Sequence, residues 1–234
     1  MDAIVLEGVW KYFGDYPAIR NVSFRLGQSQ CLALIGRNGA GKTTLLRMLG
    51  GFSRPAKGQV QISGGSPRDT ATRRSIGIIG HGISVYDELS AIENLRLFAR
   101  MYDVPDAAAR AGQLLDRVGL GRVKDGLVRE FSRGMRQRLA IARAFIHEPS
   151  VLLLDEPFTS LDDRAIAVLQ SLLVEAAQRG ASIVMSTHQL REAMELATQV
   201  VLLERGQKVF DGPRTGEMIS DPGWVYSHYG DKGV

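Results

Sequence analysis

Cysteine is nearly missing from this chain: one thiol, Cys31, in 234 residues. A single cysteine excludes an internal disulfide framework and fits a reducing compartment. Proline is scarce too, at 8 residues, and no proline-rich or low-complexity tract interrupts the sequence. No apolar run approaches the roughly 18 residues that a membrane-spanning helix needs. The opening stretch, MDAIVLEGVWKYFG, carries acids early and lacks the basic-then-apolar order of a signal peptide. These absences lead us to expect a cytoplasmic protein whose membrane role, if it has one, comes through a partner. Charge of one sign is also lacking in any quantity. The formal net charge is +4, and such a mild surplus suits scattered, solvated arginines as well as a polyanionic ligand. What is present is an ordinary globular composition, 44% hydrophobic and 23% charged, with 26 glycines. That supports one α/β domain, or one such domain carrying an inserted subdomain.

Apolar patterning divides the chain into three stretches. Ile4, Leu6 and Val9 alternate like a strand, NVSFRL (21–26) suggests a second, and QVQIS (59–63) a hairpin strand. CLALIG (31–36) and IGII (76–79) are short, wholly apolar runs suited to strands buried on both faces. TTLLRMLGG between them reads as a helix stopped by Gly50 and Gly51. From about residue 88 to 148 the period is helical, in ELSAIENLRLFARMY, AAARAGQLLDRVGL and RGMRQRLAIARAFIH, the last stopping before Pro149. Strand-like runs then return as VLLLDE (151–156), SIVMST (182–187) and VVLLERGQKVF (200–210), with the amphipathic RAIAVLQSLLVEAAQRG between the first two. Buried strands alternating with helices predict a mainly parallel sheet covered on both faces. The last stretch, DPGWVYSHYGDKGV, shows no clear period.

CLALI runs into GRNGAGKTT (36–44) and a helix follows at once, which is the phosphate-loop pattern G-x-x-x-x-G-K-[ST] in its strand–loop–helix setting. Gly36, Gly39 and Gly41 let the backbone curl, so that the N–H groups of the 36–44 loop, Asn38, Ala40 and Thr44 included, can face phosphate oxygens. The helix N-terminus adds partial positive charge. Lys42 supplies a cation for the β- and γ-phosphates, and the Thr43 hydroxyl is placed for Mg²⁺. VLLLDEP (151–157) is the partner motif: a buried strand whose C-terminal end presents Asp155 for the metal and then Glu156 to polarise an attacking water. The two motifs together predict a nucleotide-phosphate site with Mg²⁺, a pair that many P-loop enzymes share; the segment before the second motif separates them.

The segment EFSRGMRQRLAIARAFIHEP resembles the signature motif of the ATP-binding cassette (ABC) ATPases. Phe131-Ser132-Arg133-Gly134-Met135 stands where that family has Leu-Ser-Gly-Gly-Gln. Ser132 is a good helix N-cap and Gly134 permits close approach, so this helix start suits an anion. Other elements follow in order: Thr159-Ser160-Leu161-Asp162 resembles the D-loop, and Ser186-Thr187-His188 resembles the switch-histidine motif. KYFG (11–14) resembles the loop that stacks an aromatic ring on adenine, with Phe13 the first choice and Tyr12 the second. The resemblance spans about residues 2–212. It implies a P-loop NTPase cassette of the α/β class, with a mainly parallel RecA-like core, an N-terminal antiparallel β part and an inserted helical subdomain. The division it suggests is 1–82 and 149–212 for the core, 83–148 for the helical subdomain and 213–234 for a C-terminal tail.

It further implies two cassettes paired head to tail, as homodimer or with a paralogue, so that Ser132, Gly134 and Asp162 of each serve the other's ATP. His188 would touch the γ-phosphate and Glu156. A separate membrane permease would receive the energy, and the chain would sit on the inner face of the cell membrane through it. The permease segment is expected in a groove lined by Ile83, Val85, Tyr86, Leu89 and the helix starting near Ser90. A coiled coil or a second cassette, which non-transport members acting on DNA or ribosomes carry, is missing, and Arg133, Arg136, Arg138 and Arg143 point several ways on their helix. No direct nucleic-acid partner is expected. Met135 can pack on Leu139 and Ala142 of its own helix, and Arg133 can be a solvated arginine.

One position departs from the family in an informative way. IGIIGHG stands where the family has its glutamine loop, and no glutamine lies between Gln61 and Gln113. Imidazole nitrogen suits Mg²⁺ poorly, so His81 is expected to act on the γ-phosphate or the water through an N–H, or else to be a solvated hinge residue. The run GHGISVYDELSAIENLRLFARMY is similar to the ATPase of the haem exporter of cytochrome c biogenesis. Haem export is therefore one expectation, with a generic drug, lipid or polysaccharide exporter as the other.

Overall fold

In the computed structural model, residues 2–80 and 85–230 are described. His81 and Ile83 lie outside them. Strands β1 (Asp2–Phe13) and β2 (Tyr16–Gly27) form an antiparallel hairpin, and β4 (Lys57–Ile62) pairs antiparallel with the other side of β1. β4 is therefore not a local hairpin strand: its partner lies about fifty residues back, joined through Ile4↔Ile62 and Leu6↔Val60. The second sheet has six strands in the order β5-β6-β7-β3-β8-β9, with β3 (Cys31–Ile35), β5 (Ile76–Ile79), β6 (Val151–Asp155), β7 (Ser182–Ser186), β8 (Gln199–Glu204) and β9 (Gln207–Pro213). The first five run parallel and β9 returns antiparallel to β8.

Every residue of β3, β6 and β7 is buried, which is why CLALI, VLLLD and SIVMS carry no alternation. Two apolar cores result. One holds Ile4, Leu26, Leu34 and the buried face of α1 (Lys42–Leu49) between the sheets. The other holds Phe145, Phe158, Leu115 and Leu169 between the parallel sheet and the helices of its far side. Burial also raises the Cys31 thiol to about 12, leaving it a packing residue without thiolate chemistry at neutral pH.

Between β5 and β6 the chain forms α3 (Ala91–Met101), α4 (Ala107–Arg117) and α5 (Arg133–Ala144). A capping box starts α3: Ser90 Oγ accepts the Glu93 N–H while Glu93 answers to the Ser90 N–H. Asn94, one residue further, is fully buried. Its amide bonds the Tyr86 N–H and C=O and the Ser90 carbonyl, tying the 86–90 turn to the helix. α5 stops at Ala144 with Phe145 as its C-cap, so the helical period through FIH overran the helix by three residues. α6 (Asp163–Gln178) follows β6.

Two short helices were not legible in the pattern: α2 (Thr70–Arg74) and α7 (Leu190–Leu196). The aperiodic tail also folds, into α8 (Gly216–Ser220) and α9 (Trp224–Tyr229), which bury Met218 and Val225. Its rings stack on one another, Trp224 on His228 at 4.0 Å and Tyr229 against Phe210 of β9 at 4.5 Å. Among the described residues no helix is long and apolar enough to cross a membrane.

Candidate nucleotide site

The site lies where β3, β7 and β6, neighbours in the sheet, all end on the same edge. β3 delivers the 36–41 loop, β6 delivers Asp155 and Glu156, and β7 delivers Ser186 and His188. In the loop, two glycines are required. A Cβ on Gly36 would lie 2.4 Å from the Leu203 carbonyl, and Gly41, at φ +107°, would drive one to 2.5 Å from Ile19 Cδ1. Asn38 and Gly39 stand exposed at the tip, while Ala40 is packed inside. Lys42 is buried. Its Nζ donates to the Gly36 carbonyl at 2.7 Å, and burial pushes its pKa down while the charges of Glu156 and Asp155 oppose that shift.

Asp155 has both carboxylate oxygens engaged, one by the Thr43 hydroxyl at 2.9 Å and the other by the Ser186 hydroxyl. The register Asp155↔Ser186 across β6 and β7 sets this pair. The chain then turns sharply: Glu156 adopts φ +52°, a left-handed conformation that costs a non-glycine residue of the order of 1 kcal/mol or more. Its N–H bonds the Ser186 carbonyl at 2.9 Å, and its side chain, only 14% exposed, receives the His188 backbone N–H at 3.2 Å. His188 Nδ1 stands 2.7 Å from the same carboxylate oxygen. The expected meeting of His188 and Glu156 is therefore present.

Phe13 is 56% exposed at the end of β1 and shares a cavity with Thr43, Thr44 and Asp155, with Lys11 Nζ 5.7 Å from its ring. Tyr12 instead stacks on Trp10 at 6.1 Å, so of the two rings Phe13 is the one turned to the cavity. Ser132 caps α5 through the Met135 N–H and is exposed. Gly134 approaches the Ser160 carbonyl, and neither residue lines the cavity around Thr43 and Asp155. Asp162 caps α6 by accepting the Ala165 N–H at 2.8 Å. Met135 packs against the helical core as expected, while Arg133 is exposed.

The cavity continues past the nucleotide edge. It measures 830 Å³ and runs along α1 to Phe52, Phe98, Tyr102, Arg143 and His147. Of the groove residues expected from the sequence, Val85 packs into the core, Leu89 is half-buried, and Tyr86 is exposed and stacked on Phe98 at 6.0 Å. Sequence reasoning missed the rest. Phe52, 72% exposed just after the double glycine, was the one available signal.

A family model described as "ABC transporter" matches residues 19–159. The chain is 35% identical to the Nod factor export ATP-binding protein I of Cupriavidus metallidurans, over 99% of this chain and 78% of that protein. It is 36% identical to the daunorubicin resistance ATP-binding protein DrrA3 of Streptomyces coeruleorubidus, over 90% of this chain and 68% of that one. Its structure matches that of an ATP-binding subunit of an ABC transporter at TM-score 0.86 and 30% identity, covering 98% of this chain and 95% of the other. It also matches a dimeric ATP-binding cassette in a post-hydrolysis state with ADP and Pi, at TM-score 0.80 and 26% identity, over 91% and 99% of the two chains.

A phosphate loop facing an Asp-Glu strand end, in this sheet order, defines an ATP-hydrolysing cassette. The chain belongs to the ABC transporter family and is its ATP-binding, ATP-hydrolysing subunit. These relatives are named for Nod factor export and daunorubicin resistance, which fits the expectation of a generic exporter; they lend no support to the haem-export expectation drawn from GHGISVYDELSAIENLRLFARMY. A cassette's sequence reports the motor and only indirectly the cargo.

Proposed function

We propose that this chain drives an exporter whose membrane part is a separate permease, with cargo of the kind for which its Nod factor and daunorubicin relatives are named. The observation that carries the coupling is the continuous cavity joining Thr43 and Asp155 to Phe52, Phe98 and Tyr102. A permease segment seated on those rings would share walls with the nucleotide. Arg47, Arg73 and Arg143 line the cavity and Asp155 is the carboxylate in its wall, so an acidic, partly apolar segment suits it. The chain would then sit at the membrane's inner face through that contact.

The geometry of the edge supports the following roles. Lys42 leaves the Gly36 carbonyl for the β- and γ-phosphates, and the 36–44 backbone cradles them. Thr43 and Asp155 offer a hydroxyl and a carboxylate, an all-oxygen set that suits Mg²⁺ completed by water and phosphate. Bound Mg²⁺ would supply charge neutralisation at the phosphates. Glu156, held by His188, orients and deprotonates the attacking water. Phe13 stacks on the base. Two copies head to tail would bring Ser132 and Gly134 of one to the nucleotide of the other, which fits their position away from the cavity around Thr43 and Asp155.

Co-reconstitution with the permease tests the coupling. Phe52→Asp is expected to abolish transport and its stimulation of ATPase activity, while the isolated chain binds ATP with wild-type affinity. Full transport by that variant would refute the groove assignment.

A further inference from the structure

The ring assigned to the base, Phe13, stands at a poorly supported end of the N-terminal sheet. Pairing of β1 with β4 ends at Trp10↔Lys57, so residues 11–13 run past that neighbour. On the other side the register to β2 slips before and after Lys11, and Tyr12 lies opposite Pro17, which has no N–H for the ladder. Lys11 bridges this overhang. Its Nζ donates to the Arg54 carbonyl at 2.9 Å and lies over the Phe13 ring, 5.7 Å from the centroid. Strand alternation accounts for the pair: Trp10 and Tyr12 stack on one face, which puts Lys11 and Phe13 together on the other. Arg54 belongs to the segment just after α1, whose Phe52 and Ser53 line the same cavity as Phe13. One ammonium thus joins two walls of that cavity.

We propose that Lys11 is a positioning residue for the nucleotide base, holding the Phe13 ring at a set distance from the 52–54 segment. An exposed phenylalanine at a hairpin tip samples several rotamers, and ordering it on binding costs affinity. The cation over one face of the ring restricts it and leaves the other face for the base. The bond to the Arg54 carbonyl in turn fixes the ammonium, which sits on a flexible stem. Lys11 therefore acts through Phe13 alone. Its partners are the ring and a backbone carbonyl, neither of which belongs to the 36–44 loop or to the Asp155–Glu156 strand end. Preorganisation of this kind acts on binding of the base more than on the chemical step.

The inference rests on the base-stacking reading of Phe13, and a double-mutant cycle separates the two. ADP and a non-hydrolysable ATP analogue are titrated calorimetrically into wild type, Lys11→Met, Lys11→Arg, Phe13→Ala and the variant carrying both Lys11→Met and Phe13→Ala. Lys11→Met keeps the apolar stem and loses the ammonium. It is expected to weaken both nucleotides about 2- to 5-fold and to raise KM for ATP in proportion, with kcat changed less. Lys11→Arg, which retains a donor and a cation for the ring, should recover most of that loss. Phe13→Ala should weaken both nucleotides about 10-fold, and adding Lys11→Met to it should cost nothing more. Wild-type affinity in Lys11→Met beside the loss in Phe13→Ala would overturn the positioning role alone. Full additivity in the double variant would also overturn it, since Lys11 would then attract the nucleotide independently of the ring. A lowered melting temperature in Lys11→Met, with an affinity loss that Lys11→Arg fails to restore, would mark a fold defect and overturn it too. Wild-type affinity in Phe13→Ala would overturn the base-stacking reading beneath.

Discussion

The carboxyl edge of the sheet and the aromatic groove along α1 share one cavity but are built in opposite ways. At the edge, Lys42, Asp155 and Glu156 each have partners, supplied by three adjacent loops. In the groove, Arg143 Nε and His147 Nδ1 are buried with no partner among the described residues, and Phe52 stands open. Arg143 lies over the Phe98 ring at 5.1 Å and His147 is stacked on Tyr102 at 3.8 Å. Buried polar atoms without partners are unfavourable inside a protein. The charged groups of the edge are thus partnered within the chain, whereas the groove leaves buried polar atoms without partners among the described residues.

If the two regions are separable in this way, damage beneath the groove should cost stability without altering nucleotide affinity. Phe145, fully buried at the end of α5, gives the largest effect: Phe145→Ala should lose about 3–5 kcal/mol in denaturant unfolding. Its folded fraction should still bind ATP as wild type does, and a matching loss of affinity would break the separation.

A smaller effect is expected at the rim. Asn94→Ala leaves the Tyr86 N–H and nearby groups without their buried partner and should cost about 1–3 kcal/mol. Transport in the reconstituted system should fall more than ATP binding does.

The smallest effect is a pH slope. Burial, with the Arg143 charge adding to it, lowers the His147 pKa to about 4, against the opposing bond to the Ile76 carbonyl. The unfolded chain, near 6.5, takes up a proton first, so the stability held by neutral His147 is fully present above about pH 6.5. It is lost as pH falls through that window to about 4. Allowing for its partial exposure, the loss should be about 1–2 kcal/mol. His147→Gln should flatten that part of the stability–pH curve, and an unchanged slope would count against a buried, neutral imidazole.

The same contrast explains what the sequence disclosed. The edge is made of local motifs, each a short run whose chemistry depends on its neighbours in the chain: 36–44 and 155–156 could be named from spacing, and 186–188 from its resemblance to the family's switch-histidine motif. Their convergence follows from the parallel order of the strands, which buried runs such as CLALI and VLLLD announce. The groove gathers Phe52, then Phe98 and Tyr102, then Arg143 and His147, from three separated segments, and no spacing rule links the three. The tail was hidden for the same reason: its place depends on how α9 docks, and a six-residue helix leaves little periodicity to read. His81, the most unusual feature of the sequence, lies outside the described residues.

The division between a chemical edge and a coupling groove stands or falls on Glu156. The decisive measurement is single-turnover hydrolysis of Mg·ATP by Glu156→Gln, alongside its ATP affinity. Turnover should fall by about 100-fold or more while ATP still binds within a few-fold of wild type. Hydrolysis within threefold of wild type would contradict the account and move the chemistry away from the end of β6.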